Sequence, residues 1–168
     1  MSQPRTAHFC PMCGTHLEWR ERTGALRPVC PKCDHTVYFD PKVAVVVLVI
    51  QAERVLLVQR ANDPKKGYWT LPGGFVEAGE DPRAAACREA VEETCLAVAV
   101  DRLLGVYYTA NDGGLADMVI AYAASVTGGN LTAADDAEAA GWFSRDHIPP
   151  LAFLPTEQIV REWAAQSG

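Results

Sequence analysis

Residues 73–96 constrain the fold of this chain more than any other stretch. They read Gly-Gly-Phe-Val-Glu-Ala-Gly-Glu-Asp-Pro-Arg-Ala-Ala-Ala-Cys-Arg-Glu-Ala-Val-Glu-Glu-Thr-Cys-Leu. Pro82 suits the first turn of a helix, with Asp81 or Glu80 as its cap. The helix is expected to run to about Thr94. It carries Glu89, Glu92 and Glu93 at i, i+3 and i+4, on one face. Carboxylates that close repel unless something positive lies between them. Hard divalent cations take oxygen ligands and sit between carboxylates and substrate phosphates. A metal site for phosphate chemistry is therefore expected, against the alternative of an ordinary solvated acidic face.

A second pattern lies upstream. Cys10-Pro-Met-Cys13 and Cys30-Pro-Lys-Cys33 are two Cys-x2-Cys knuckles with sixteen residues between them. The spacing predicts one tetrahedral zinc site of Cys10, Cys13, Cys30 and Cys33 rather than disulfides. A turn-forming residue, Gly14 or Asp34, follows each knuckle. Metal binding would supply much of the folding energy of so small a piece. His8, His16 and His35 flank the knuckles and are expected on its surface. Cys87 and Cys95 read as ordinary small helix residues.

The charge is uneven. Residues 1–35 hold five Lys/Arg and three Asp/Glu, so +2, and the remainder holds ten and eighteen, so −8. An acidic main domain does not suit duplex nucleic acid, which needs phosphate-neutralising surface. No stretch reads as a signal peptide. The longest apolar run, Val43–Ile50, is too short to span a membrane and reads as a buried strand. A cytoplasmic protein is expected, with no membrane partner; a homodimer is left open.

The strand pattern continues with Arg54–Arg60, one or two strands in 97–108, a turn at Asn111-Asp112-Gly113-Gly114, a strand over Met118–Val126, a turn at Gly128-Gly129-Asn130, and a short strand at Trp142-Phe143. Ile159, Val160 and Trp163 mark a C-terminal amphipathic helix over 156–165. The expected division is a tail and zinc ribbon over 1–39 and a main domain over 40–168.

Gly74, Glu80, Arg88, Glu89, Ala90, Glu92, Glu93 and Leu96 fall where the Nudix box has its fixed positions, and Leu71-Pro72-Gly73-Gly74 precedes them as in that family. The chain strongly resembles the Nudix hydrolases over roughly residues 40–165. One position departs: Cys95 stands where the box usually has the Gly that ends its helix, which suggests a different helix exit. The resemblance implies an α/β fold: a Nudix α/β/α sandwich with a mixed sheet, here preceded by a small N-terminal zinc ribbon. It implies Mg²⁺ (or Mn²⁺) held by Glu89 and Glu93, with Glu92 a further ligand or an outer-shell base and the carbonyl of Gly73 or Gly74 supplying another oxygen, besides the structural Zn²⁺. It gives Glu92, Glu89, Arg88 and Glu138 as the candidate catalytic set, with Arg88 holding a box carboxylate, Glu92 or Glu80, in register.

The general base is the open position. Relatives often place a glutamate three residues before a Trp-Phe-like pair, and Ala139 stands there. Glu138 or Asp136 could substitute, although strand alternation turns Glu138 to the face opposite residue 139. The reaction implied is hydrolysis of a nucleoside diphosphate derivative of ADP-ribose, FAD or NAD(H) type to AMP and a second monophosphate. Sanitising a nucleoside triphosphate, or sensing a nucleotide without catalysis, are the alternatives. The Ser-Gln-Pro-Trp-like signature of NADH pyrophosphatases has no match in 107–112. Arg60, Tyr107, Tyr108 and Phe153 are candidate substrate contacts, the aromatic residues by stacking on a flat base.

Overall fold

The computed structural model describes residues 5–109 and 116–165, so the expected turn at 111–114 lies outside the described residues. The chain forms two compact units, Met1–Pro41 and Lys42–Gly168. In the first, β1 (Glu18–Arg22) and β2 (Ala25–Val29) form an antiparallel hairpin. Thr23 and Gly24 turn it with φ of 51° and 76°, the positive values that a two-residue hairpin loop needs. Cys10, Leu17 and Cys30 form its buried cluster, with Ala7 and Val37 packed against it.

The second unit is built on β3 (Val43–Gln51), a run of β-branched residues with both faces covered. β3 pairs in parallel with β7 (Met118–Gly129), which pairs antiparallel with β6 (Leu96–Tyr108). At its far end β3 turns into β4 (Arg54–Arg60), and β4 lies between β5 (Trp69–Thr70) and β8 (Ala137–Ser144), antiparallel to both. Residues 72–76 run along the free edge of β3: the Val45 and Val47 N–H groups donate to the Gly74 and Pro72 carbonyls, and the Val76 N–H donates to the Val43 carbonyl.

Strand alternation divides β3 between two layers. Val45, Val47 and Val49 pack with Ala85, Ala86 and Ala90 of α1 (Pro82–Thr94). Leu48, with Val46 and Ile50 beside it, packs with Ile159, Val160 and Trp163 of α2 (Leu154–Ala165). The result is an α/β/α sandwich with a mixed sheet. The buried face of α1 is alanine, so its backbone approaches the sheet closely and its glutamates stay near the 72–76 strip. Asp81 caps α1, its carboxylate accepting from the Arg83 and Ala84 N–H groups.

Three expectations are corrected. Trp142-Phe143 belongs to an eight-residue strand, because pairing with β4 extends it back to Ala137. The Gly128-Gly129 pair is the end of β7 rather than a turn, paired with Ala97 and Leu96. The exit of α1 is not altered by Cys95: that residue itself adopts the left-handed conformation (φ 57°, ψ 15°), and its N–H donates to the Val91 carbonyl. Gly129 makes room for this exit, since a Cβ there would lie 2.2 Å from the Cys95 carbonyl oxygen. A left-handed non-glycine residue costs about 1 kcal/mol. Cys95→Gly is therefore expected to raise the melting temperature by roughly 2–4 °C in a chain of this size; a lowered value in thermal unfolding would contradict the strain.

Candidate active site and metal centres

Arg88 organises the acidic face of α1. Its Nε and Nη2 donate to the two Glu80 oxygens at 2.9 and 3.0 Å. Its Nη1 donates to Glu89 and to Glu92, both at 2.8 Å. Nη2 also donates to the Phe75 carbonyl at 3.0 Å. A guanidinium has five N–H donors, and all five are engaged. Arg88 thus holds three carboxylates and the glycine strip in one arrangement and keeps no donor for another partner. The Arg88 hydrogen bonds bring the Glu80 carboxyl down to about 2.

Glu93 lies deeper, 5% exposed, and its Oε2 accepts from the Gly73 N–H at 2.8 Å. Burial pushes its carboxyl up to about 9; the hydrogen bond and charge of Asp136 and the charge of Glu89 push the same way, while the Gly73 N–H opposes them. Burial also raises Glu89, against the pull of Arg88, with Glu92 and Asp136 adding to the rise. The Glu89 carboxylate lies over Gly74, where a Cβ would come within 2.5 Å of it. Gly73 is more tightly constrained, since a Cβ there would meet the Val45 backbone carbonyl at 2.1 Å. The Gly74 carbonyl is taken by β3, so strand alternation turns the Gly73 carbonyl to the Glu93 side. Glu89, Glu93 and Asp136 are near enough to raise one another's carboxyls and offer the oxygen donors a hard divalent cation takes, although among the described residues only the four cysteines already stand close enough together to share an ion.

The cluster opens on a cleft of about 260 Å³. Gly73, Gly74 and Asp136 line it, together with Arg60 and Phe153. Sequence reasoning raised Asp136 only as an alternative to Glu138, yet Asp136 is the group near Glu89 and Glu93. Glu138 is exposed on β8. Glu92 is exposed and held by Arg88. Tyr107 packs into the α2 layer and Tyr108 is 77% exposed; neither lines the cleft.

In the ribbon, the four cysteine sulfurs lie within 4.8 Å of one another, with contacts of 3.6 Å (Cys10–Cys33), 3.5 Å (Cys13–Cys30) and 3.7 Å (Cys13–Cys33). Four sulfurs about 2.3 Å from one zinc would stand about 3.8 Å apart, so the spacing fits. The two knuckles are built alike. Gly14 and Asp34, both at positive φ, donate to the carbonyls of Cys10 and Cys30, and Cys10 and Cys30 donate to those of Thr15 and His35. The Thr15 hydroxyl brings the Cys13 thiol down to about 6. At Cys33 the His35 backbone favours the thiolate, but the neighbouring Cys30 thiol, burial and the other two thiols push it up to about 12. Thiols so crowded ionise together only around a cation.

The NUDIX domain family matches residues 40–164. The chain belongs to the Nudix family. An ADP-ribose pyrophosphatase of Methanocaldococcus jannaschii is 39% identical over 130 residues, covering 77% of this chain and 76% of that protein. The NAD-capped RNA hydrolase NudC of Pseudomonas aeruginosa is 33% identical over 147 residues, 88% of this chain and 51% of that protein. The chain thus spans about half the length of that NudC relative. A solved NUDIX hydrolase from Nitrosomonas europaea superposes with a TM-score of 0.86 at 28% identity, covering 94% of this chain and 90% of that one. Among the described residues no helix is long and apolar enough to cross a membrane.

Two outcomes are expected. Purified protein should carry about one zinc per chain, and Cys10→Ser should lose it; folded, zinc-free wild type in metal analysis would refute the ribbon site. The second concerns Glu93, whose folded value of about 9 exceeds its ordinary 4.5. The folded state then holds the extra proton, so this contribution to stability is full below about pH 4.5 and lost as pH rises toward about 9. Without divalent cation, wild type should lose stability over that range more steeply than Glu93→Gln. Parallel thermal unfolding curves for the two would contradict the burial of this carboxyl.

Proposed function

We propose that the chain is a Mg²⁺-dependent hydrolase of nucleoside diphosphate derivatives of the ADP-ribose, FAD or NAD(H) type, yielding AMP and a second monophosphate. The observation that carries this reading is that Asp136, which lines the cleft with Gly73, acts electrostatically on both Glu89 and Glu93, and that Glu93 is bonded to the Gly73 N–H. In this reading Glu89, Glu93 and the Gly73 carbonyl hold Mg²⁺ (or Mn²⁺), with the exposed Glu92 a further or outer ligand. The cation would neutralise the diphosphate and lower the pKa of a bound water. Asp136 is the side chain best placed to accept a proton from the attacking water, ahead of Glu138. Arg88 keeps the box carboxylates in register without touching substrate. The substrate lies in the cleft, its distal group meeting only the surrounding loops.

The name of the M. jannaschii relative supports a nucleoside diphosphate substrate. The NudC relatives are named for NAD-capped RNA, so a capped RNA end is a second candidate substrate. The test is a panel of ADP-ribose, FAD, NADH and nucleoside triphosphates with Mg²⁺, products separated by chromatography. AMP is expected from the three diphosphates, and NADH should not be preferred by more than roughly a hundredfold, about what one pocket contact supplies. Glu93→Gln should lower turnover roughly a thousandfold while remaining folded. A dominant activity on triphosphates would overturn the substrate class, and near wild-type turnover of Glu93→Gln at saturating Mg²⁺ the metal assignment.

A further inference from the structure

The part of the cleft lined by Arg60 and Phe153 has its own construction. Arg60, at the end of β4, holds its guanidinium 5.0 Å from the centre of the Phe153 ring. Its Nε donates to the Pro64 carbonyl at 2.8 Å, and Nη2 reaches the Asn62 carbonyl at 3.4 Å. The guanidinium is thereby held over the ring, and both residues line the cleft. Planar guanidinium and aromatic groups stack on flat ligands.

The same cleft has a polar floor. The hydroxyls of Thr70 and Thr156 lie 3.0 Å apart, on residues only 5% and 1% exposed, and both residues line it. Two hydroxyls bonded to one another use one proton and leave one over. Among the described residues neither has a second partner. A buried donor left unused is costly, and here it faces a cleft whose other walls include Val45, Leu71 and Val119. Such a cavity suits a flat, largely apolar ring with a hydrogen-bonding edge.

Its position relative to the carboxylates is fixed by the backbone. The Ala61 N–H, next to Arg60, donates to the Asp136 carbonyl at 2.9 Å, and Thr70 is three residues from Gly73. We infer that the Arg60–Phe153 pair and the Thr70–Thr156 hydroxyls form a purine-base subsite. The base stacks on the pair, a ring nitrogen takes the spare hydroxyl proton, and the attached diphosphate reaches the carboxylate cluster. This rests on the nucleotide reading above and specifies which part of the substrate enters the cleft.

Binding of AMP, UMP and ribose 5-phosphate, measured by calorimetry with Mg²⁺, separates the base from the sugar phosphate. None has a diphosphate to cleave, so the result does not depend on hydrolysis. Wild type should bind AMP at least about tenfold more tightly than ribose 5-phosphate, the effect of stacking one base, and UMP should be weaker than AMP. Phe153→Leu, Arg60→Lys and the double variant Thr70→Val/Thr156→Val should each weaken AMP about tenfold or more and leave ribose 5-phosphate unchanged. The double variant removes both partners of one hydrogen bond and keeps their shape, so it should fold normally; circular dichroism checks each variant. AMP no tighter than ribose 5-phosphate or UMP, or wild-type AMP binding in any of the three variants, overturns the subsite. A wild type that binds AMP in this way but cleaves no diphosphate keeps the subsite and overturns the hydrolase reading.

Discussion

The arrangement of the active face depends on a buried carboxylate anchored to a backbone N–H. Glu93 is held against Gly73, and Gly73 belongs to a strip pinned to β3 by three backbone hydrogen bonds. The helix and the strip therefore fix one another. Removing a carboxylate from water is costly unless it is paired or binds a cation. The surroundings of Glu93 worsen the cost, because Asp136 and Glu89 add negative charge. A divalent cation bound beside these carboxylates would offset that cost.

Arg88 shows how the remaining charge is managed. Glu80, Glu89 and Glu92 would repel one another along the face of α1, and one guanidinium with five engaged donors holds them. Neutralisation is partial, and it stops short of Glu93. The two glycines complete the arrangement. A side chain at Gly73 would strike β3, and one at Gly74 would displace the Glu89 carboxylate. Contact with the backbone thus requires glycine at Gly73, whereas at Gly74 a side chain would need the end of Glu89 to move from its place.

Features encoded over short sequence distances were legible in the sequence. The helix start at Asp81-Pro82, the glutamate spacing and the paired knuckles are local patterns, and each corresponds to an element or a cluster in the structure. What the sequence concealed depends on tertiary pairing. Asp136 joins the cluster because β8 pairs back along β4 to Ala137. Glu138 and Tyr108 are exposed, and Tyr107 turns into the α2 layer, since strand register decides the face. The ordinary exit of α1 at Cys95 was hidden because a propensity for glycine is not a requirement, and Gly129 across the sheet supplies the space.

On this reading the carboxylates of α1 and the glycine strip form one divalent-cation site. Anomalous diffraction from crystals grown with Mn²⁺ tests it directly. The account predicts a manganese peak coordinated by Glu89, Glu93 and the Gly73 carbonyl, within reach of Asp136. A fully ordered site with no peak there, or manganese bound only elsewhere, would contradict it.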